Sequence, residues 1–244
     1  MSLRTKYRQE FVVDFSEIDC RLEIKPSSLI GYMQQVTENH ARTLNVAFSQ
    51  AGESLFWVVG RTKLVIHKYP CWKSKVIIET FPTGVDKMFM MRSYRIYDEK
   101  YDLLAEIISC FLLVDENTNK PIRPTNMSTT LSSILFEYRG EKLDKIKSGG
   151  ELIRSENRKV RYNELDINRH MNNCYHFNWT VDMFSSIELA ARPIKSIQLN
   201  YVTAVKEGSI VIVRLFKKSN DTFYVEGISN DEKPIIYWQS TLTR

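Results

Sequence analysis

Two stretches of the chain carry hydrophobic residues at helical spacing, and most of the remainder alternates between hydrophobic and polar positions. The first stripe follows Pro26 and recurs every three or four residues: Leu29, Met33, Val36, His40 and Leu44. The second stripe consists of Cys174, Phe177, Val181 and Phe184. These spacings predict helices over residues 26–44 and 173–187. The alternating segments predict strands over residues 10–15, 56–66, 75–81, 89–97, 103–114, 158–163, 195–202, 209–217, 222–229 and 234–243.

The same order of elements occurs twice, which indicates an internal duplication. Residues 15–19 resemble residues 162–166 at an offset of 147 positions, and residues 74–78 resemble residues 209–213 at an offset of 135. Each copy reads as a strand, a long helix and then several strands joined by short turns. Because alternating βαβ units are absent, the pattern predicts an α+β fold in which each antiparallel sheet wraps around its helix.

The duplication divides the chain into an N-terminal unit (1–126), a partly helical linker (127–155) and a C-terminal unit (156–244), with the linker helix expected over 127–147. Basic residues outnumber acidic ones by seven to four in residues 141–161. No aromatic residues interleave with this charge, so the sequence does not predict nucleic-acid binding. The segment suits either a solvated linker or the attraction of an acidic partner protein.

Composition narrows the class of protein further. The longest apolar stretch, residues 107–114, is too short and too interrupted to span a membrane. The first ten residues contain no apolar segment, so no secretory signal is expected. The four cysteines lie far apart, which favours reduced thiols and a cytoplasmic location. No nucleotide-binding motif or metal-ligand spacing occurs, so neither a cofactor nor a metal is predicted.

A polar trio in the second unit is the strongest candidate for chemistry. Asp166, Asn168 and His170 occupy every second position, and an extended segment would direct all three side chains to one face. A carboxylate, an amide and an imidazole on one surface can activate a water molecule. The alternative is a polar strand end with a hydrogen-bonded structural histidine.

Two asparagines, Asn172 and Asn173, follow the trio immediately before the second helical stripe. Asparagine is a preferred helix N-cap, so the helix should begin close to the trio. Backbone N–H groups at such an end can bind a developing negative charge. The alternative is a capping role alone.

Residues 166–173, with Trp179 and Asp182 downstream, resemble the signature of the acyl-acyl carrier protein (acyl-ACP) thioesterases. In the first half, residues 57–59, 69–72 and 76–81 resemble that family's strands after its first helix. The resemblance spans nearly the whole chain. It implies a tandem (double) hotdog fold, in which two curved antiparallel sheets each wrap around a long helix. Since no plastid transit segment precedes it, the chain resembles a bacterial member.

The resemblance implies hydrolysis of the acyl-ACP thioester with release of a free fatty acid in fatty acid synthesis. His170 would be the general base, Asn168 would orient the water or contact the carbonyl oxygen, and Asp166 would position a partner or act as a base. Asn172 and Asn173 would present the oxyanion site. The first unit would bind the acyl chain through residues on its helix and first following strand: Met33, Val36 and Trp57.

One departure from the family leaves the function open. Members typically carry a glutamate that aligns, when Tyr201 is used as the anchor, with Ala204. Alanine can neither orient a water nor accept a proton, so a non-catalytic acyl-thioester-binding protein is an alternative, as is an acyl-CoA thioesterase. Cys174 lies on the apolar helix stripe, which favours packing over nucleophilic catalysis. The acyl-chain length and the pairing of two chains into a homodimer are not determined by the sequence.

Overall fold

The computed structural model describes residues 6–44, 55–118, 120–123, 137–138 and 140–244. The first unit comprises β1 (Tyr7–Val12), α1 (Pro26–Thr43), β2 (Leu55–Ile66), β3 (Lys75–Asp86), β4 (Phe89–Tyr97), β5 (Leu103–Asp115) and β6 (Lys120–Ile122). The second unit comprises β7 (Glu151–Lys159), α2 (Asn173–Val181), α3 (Ser186–Ala191), β8 (Ser196–Tyr201), β9 (Ile210–Lys217), β10 (Thr222–Ser229) and β11 (Ile236–Thr243).

All of these strands belong to one antiparallel sheet. The strand order is β1-β3-β4-β5-β2-β8-β11-β10-β9-β7, and β6 pairs with β5. The two units meet where β2 pairs with β8, with Arg61 opposite Asn200 and Val65 opposite Ser196. The sequence predicts one sheet for each unit, and the structure joins them edge to edge.

The helices pack against the sheet with the apolar stripes that the sequence predicts. Leu29, Met33 and Val36 of α1 are buried in one core cluster with Phe177 of α2. Burying a side chain of this size stabilises the fold by about 1.5–3 kcal/mol. No helix among the described residues is long and apolar enough to cross a membrane.

The predicted linker helix is not found where the structure describes the chain. Residues 137–138 and 140–150 form no helix. The remainder of the prediction, residues 127–136 and 139, lies outside the described residues. The strand predicted over residues 158–163 is displaced, since strand β7 covers residues 151–159 and residues 160–163 are not strand. The first part of β7 was missed because it lies at the sheet edge and exposes most of its side chains, so its hydrophobic alternation is weak.

The second predicted helix is divided in two. Helix α2 ends at Val181, and α3 begins at Ser186. The side chain of Ser185 accepts a hydrogen bond from the backbone N–H of Glu188 at 3.2 Å, and the carboxylate of Glu188 accepts one from the N–H of Ser185 at 2.7 Å. This capping box starts a new helix. The apolar stripe therefore continues across residues at which the backbone is not helical.

The duplication is confirmed by equivalent hydrogen bonds at the offset of 147. Tyr32 donates to the carboxylate of Glu17, and its counterpart Trp179 donates to the carboxylate of Glu164 at 2.9 Å. Likewise the carbonyl of Glu17 accepts the N–H of Lys25 at 2.9 Å, and the carbonyl of Glu164 accepts that of Asn172 at 2.8 Å. Each unit thus fixes the start of its helix to a preceding turn through one glutamate.

Candidate active site

The polar trio lies in a tight loop and not in an extended strand. Leu165 and Met171 form an isolated bridge that closes the loop, and the N–H of Asp166 donates to the carbonyl of His170 at 2.7 Å. Arg169 adopts a left-handed backbone conformation with φ 61°. The prediction that alternation places the three side chains on one strand face is therefore wrong.

The side chain of Asp166 explains why a loop replaces the strand. Its Oδ1 atom accepts the N–H of Asn168 at 2.8 Å and the N–H of His170 at 3.1 Å. Aspartate side chains that bond nearby backbone donors in this way favour turns over strands. Within the described residues, Oδ2 of Asp166 forms no hydrogen bond, so only one of the two carboxylate oxygens organises the loop.

The loop brings the trio together without linking the three side chains to one another. His170 is half-buried and Asn168 is exposed, and neither side chain has a hydrogen-bond partner in the described part of the chain. The backbone of His170 bridges to Lys206, and the N–H of Met171 donates to the carbonyl of Val205 at 2.8 Å. These contacts fix the backbone that carries the imidazole of His170. Catalytic contacts of such groups commonly tighten only around a substrate.

Helix α2 begins where the sequence predicts, with Asn172 as its N-cap. Oδ1 of Asn172 accepts the N–H of Cys174 at 3.0 Å, and its carbonyl accepts the N–H of Tyr175 at 2.9 Å. The N–H of Asn172 itself donates to Glu164. Among the described residues, the N–H of Asn173 has no partner. The N–H of Asn172 is therefore not available for an oxyanion, and the predicted oxyanion site keeps only the N–H of Asn173.

Cys174 lies beside this helix end but lacks the properties of a nucleophile. Burial raises the pKa of its thiol to about 12, and the thiolate is the reactive form. The thiol is also engaged, since it donates to Oε1 of Gln34 at 3.3 Å. The structure favours the packing role that its position on the apolar stripe predicts.

Gln34 of α1 is a contact that the sequence predictions omit. Its Nε2 atom donates to Oδ1 of Asn172 at 3.2 Å, so one side chain of the first unit bonds two residues at the start of α2. One sequence feature could have indicated this contact: Gln34 lies one helical turn after Gly31 and next to Met33 of the apolar stripe.

The first unit contains a chemically closed copy of the same loop. Oδ1 of Asp19 accepts the N–H groups of Arg21 at 2.8 Å and Glu23 at 3.4 Å, and Leu22 has φ 60°. Arg21 forms ion pairs with both carboxylates and lies 5.3 Å over the ring of Tyr69. Because the guanidinium of Arg21 pairs with the carboxylates of both Asp19 and Glu23, neither carboxylate is free to act as an acid or base.

The same comparison locates Ala204 relative to the loop. At the offset of 135, Ala204 is the counterpart of Tyr69, and Asn168 is the counterpart of Arg21 at the offset of 147. Since Tyr69 packs against Arg21, a side chain at position 204 is expected to lie next to Asn168. Ala204 is exposed in the connection after β8, so this side of the loop is open.

The predicted acyl-binding residues are only partly brought together. Met33 and Val36 are almost fully buried in the core cluster, at 1% and 0% exposure, and Sδ of Met33 accepts a hydrogen bond from Ser109 at 3.2 Å. Trp57 lies half-buried on β2, opposite Leu113, and is not part of that cluster as far as the chain is described.

Two family models cover most of the chain. The model of the acyl-ACP thioesterase N-terminal domain matches residues 4–128, and that of the C-terminal domain matches residues 150–232. The chain belongs to the acyl-ACP thioesterase family.

Curated relatives of this acyl-ACP thioesterase family member are plant proteins of greater length. A chloroplastic palmitoyl-acyl carrier protein thioesterase from Arabidopsis thaliana is 24% identical over 220 residues, which cover 80% of this chain and 51% of the relative. A chloroplastic dodecanoyl-[acyl-carrier-protein] hydrolase from Umbellularia californica is 24% identical over 220 residues, covering 80% and 55%. The chain therefore spans about half the length of the curated relatives it matches.

Solved structures of family members share the architecture. The acyl-ACP thioesterase from Bacteroides thetaiotaomicron superposes with a TM-score of 0.87 at 20% identity, covering 100% of this chain and 99% of the other. The 12:0-ACP thioesterase from Umbellularia californica superposes with a TM-score of 0.86 at 17% identity, covering 98% and 96%. At these identities the similarity establishes the fold, and the predicted tandem hotdog is confirmed.

His176 lies in the core just behind the site loop. Its Nδ1–H donates to the carbonyl of Asn172 at 3.2 Å, and its ring packs edge-on against Tyr201 and Trp238 at 5.2 and 5.0 Å. Burial lowers the pKa of His176 from 6.5 to about 4, because the charged ring would lose its hydration.

Acid is expected to destabilise the protein through His176. The unfolded chain binds this proton near pH 6.5, whereas the folded protein resists it down to about pH 4. The stabilisation is therefore complete above pH 6.5 and is lost as the pH falls toward 4, by about 3 kcal/mol of unfolding free energy. Urea unfolding of the wild type and His176→Asn across this range measures the effect.

The variant His176→Asn should be less stable than wild type at neutral pH, since a smaller side chain leaves a cavity, but its stability should vary less with pH. His67→Asn, at a half-exposed histidine, should keep the wild-type slope. If the unfolding free energies of wild type and His176→Asn depended equally on pH, His176 would be excluded as the cause of the acid destabilisation.

Proposed function

We propose that this protein hydrolyses the thioester of acyl-ACP and releases a free fatty acid. The observation that carries the proposal is the loop 165–172, in which Asp166 fixes the backbone of His170 directly before the N-cap of α2. This arrangement offers an acid–base group and a backbone donor within one rigid segment. Membership of the thioesterase family supports the assignment.

In the proposed reaction, His170 removes a proton from a water molecule, which attacks the carbonyl carbon of the thioester. Asp166 holds the loop through Oδ1 and stabilises the protonated imidazole through its second oxygen. Asn168 orients the water, and the N–H of Asn173 stabilises the negative charge that develops on the carbonyl oxygen. As the carbon–sulfur bond breaks, His170 returns the proton to the departing thiolate.

The acyl chain would lie in the first unit along α1. Met33 and Val36 supply the apolar contact in this proposal, and Trp57 on β2 would border the entrance. One turn after Val36 the stripe contains His40, whose Nδ1 accepts a hydrogen bond from the buried Arg92 at 2.9 Å. This polar pair supports a pocket that closes toward the end of α1.

The carrier is proposed to be ACP, with coenzyme A as the nearer alternative. The four cysteines are free thiols, which suits a reducing cytoplasm where such carriers would be met. Steady-state hydrolysis of one acyl chain on ACP and on coenzyme A tests the choice. We expect kcat/KM to be at least tenfold higher for acyl-ACP, and the opposite ratio would identify an acyl-CoA thioesterase.

Ala204 specifically favours a second candidate, a protein that binds acyl thioesters without hydrolysing them. In that case the folded wild type would bind acyl-ACP and leave it intact. Measured turnover that depends on His170 would exclude this candidate, and binding without release of fatty acid would favour it.

Restoring a carboxylate at position 204 is expected to change the pH dependence of hydrolysis. Because Ala204 is exposed, Ala204→Glu needs no space in the core, and its carboxylate would lie near Asn168 and Asp166. Two neighbouring carboxylates raise at least one pKa. We expect a shifted pH–rate profile with turnover increased severalfold. Profiles of kcat/KM against pH for wild type and variant provide the measurement.

Thr203→Glu is the matched control, because residue 203 is exposed in the same connection. Val205 is unsuitable, since its side chain is 1% exposed and a glutamate there would be buried. If Ala204→Glu and Thr203→Glu both reproduce the wild-type profile, position 204 lies away from the chemistry.

A further inference from the structure

Gln34 is the residue of the first unit that bonds most directly to the candidate hydrolytic segment. Its amide donates to Oδ1 of Asn172 at 3.2 Å and accepts the thiol proton of Cys174 at 3.3 Å. Both partners belong to the first turn of α2, more than a hundred residues away in sequence. One side chain therefore ties the two units together at the end of the site loop.

The approach of the two helices explains how a glutamine reaches this far. Gly31 lies one turn before Gln34 on α1, and a Cβ atom placed on it would be 3.9 Å from Sγ of Cys174. This distance corresponds to ordinary van der Waals contact, so the two helices pack directly against each other at this point. Gln34, on the same side of α1, can then extend across to the N-cap.

Asn172 is the point on which the geometry of the site depends. Its N–H donates to Glu164, its carbonyl accepts from Tyr175 and His176, and its side chain caps α2. His170 is only two residues away. A small rotation of Asn172 would therefore move both the imidazole and the free N–H of Asn173. A misplacement of about 1 Å can cost about a hundredfold in rate.

Gln34 is also the sequence neighbour of Met33, one of the proposed acyl-binding residues. The preceding residue, Met33, is buried against the sheet and accepts a hydrogen bond from Ser109. A chain that packs against Met33 would therefore press on the same turn of α1 that holds Asn172. In this proposal, a displacement of α1 by the bound acyl chain would move Asn172 and the hydrolytic loop through Gln34.

We propose that Gln34 is a positioning residue, which holds the first turn of α2 in its productive geometry from the acyl-binding unit. The role deepens the proposed hydrolysis and rests on it for its kinetic consequences. The contact itself can be tested without an activity assay, because Gln34 holds Asn172 and Asn172 accepts the backbone N–H groups of Cys174 and Tyr175.

The kinetic test compares Gln34→Ala with Gln35→Ala, the exposed neighbour on the same helix. For Gln34→Ala we expect kcat to fall about tenfold with KM changed less than about threefold, because the residue acts on geometry and not on binding. Gln34→Glu keeps the acceptor for Cys174 but cannot donate to Asn172 and should fall between Ala and wild type. Gln35→Ala should match wild type.

Amide hydrogen exchange gives the second readout. In Gln34→Ala, exchange of the amides of Cys174 and Tyr175, which both donate to Asn172, should be at least severalfold faster than in wild type and in Gln35→Ala, while core strands keep their protection. A folded Gln34→Ala with unchanged exchange at these amides would overturn the proposal. So would a loss confined to KM. If the wild type hydrolyses no thioester, the proposed function fails, and the exchange result still decides the role of Gln34.

Discussion

Replacement of His170 by alanine is expected to lower kcat/KM for acyl-ACP by about a hundred- to ten-thousandfold, the usual contribution of a general acid–base group. The fold should survive, because the backbone of His170 carries the loop contacts to Asp166 and Lys206. Its imidazole is half-buried and has no hydrogen-bond partner among the described residues. Steady-state kinetics with matched thermal unfolding curves measure the two effects separately.

His67→Ala provides the control, since His67 is half-exposed and pairs with Glu106 on the sheet at 3.4 Å. Its kinetics should equal those of the wild type. If a folded His170→Ala variant turned over acyl-ACP at the wild-type rate, the assignment of the base would have to be abandoned.

Replacement of Asp166 by asparagine is expected to lower turnover by at least about a hundredfold with little loss of stability. The amide oxygen of asparagine can still accept the N–H groups of Asn168 and His170, so the loop should keep its shape. It carries no charge, however, and cannot stabilise a protonated imidazole or accept a proton. Turnover and the urea midpoint of the purified variant are the quantities to measure.

Two further variants separate the charge from the loop contacts. Asp166→Ala should lose turnover and also about 0.5–1.5 kcal/mol of unfolding free energy, because two partly exposed backbone donors lose their acceptor in the protein. Asp19→Asn makes the equivalent change in the first-unit copy and should leave turnover unchanged. Wild-type turnover in Asp166→Asn would show that Asp166 acts only by shaping the loop.

The duplication and most strands could be predicted because they depend on local patterns. The alternation of residues 89–97 and the helical stripe after Pro26 each satisfy one periodicity throughout, so sequence and structure agree at β4 and α1. The first part of strand β7 could not be predicted, because this edge strand buries few side chains and its hydrophobic alternation is weak. The break between α2 and α3 depends on one serine cap inside a continuing apolar stripe.

The residues of the candidate site came from the sequence, and the shape of the loop that holds them did not. The three residue types indicated acid–base chemistry, but alternation suggested a strand, whereas the Asp166 side chain folds the segment into a loop. The repeat contained the necessary signal, since Asp19 begins an identical turn in the first unit. The contact of Gln34 with Asn172 was beyond sequence analysis, because it depends on the packing of two helices far apart in the chain.

The most direct test of water activation at the loop 165–172 is a reaction of the purified full chain with acyl-ACP in water labelled with heavy oxygen. Mass spectrometry would follow both the fatty acid and the protein. We predict that the released fatty acid carries one labelled oxygen atom, that no acylated protein forms, and that His170→Ala releases almost none. An acyl group attached to the protein, or intact acyl-ACP after prolonged reaction with folded wild type, would contradict the account.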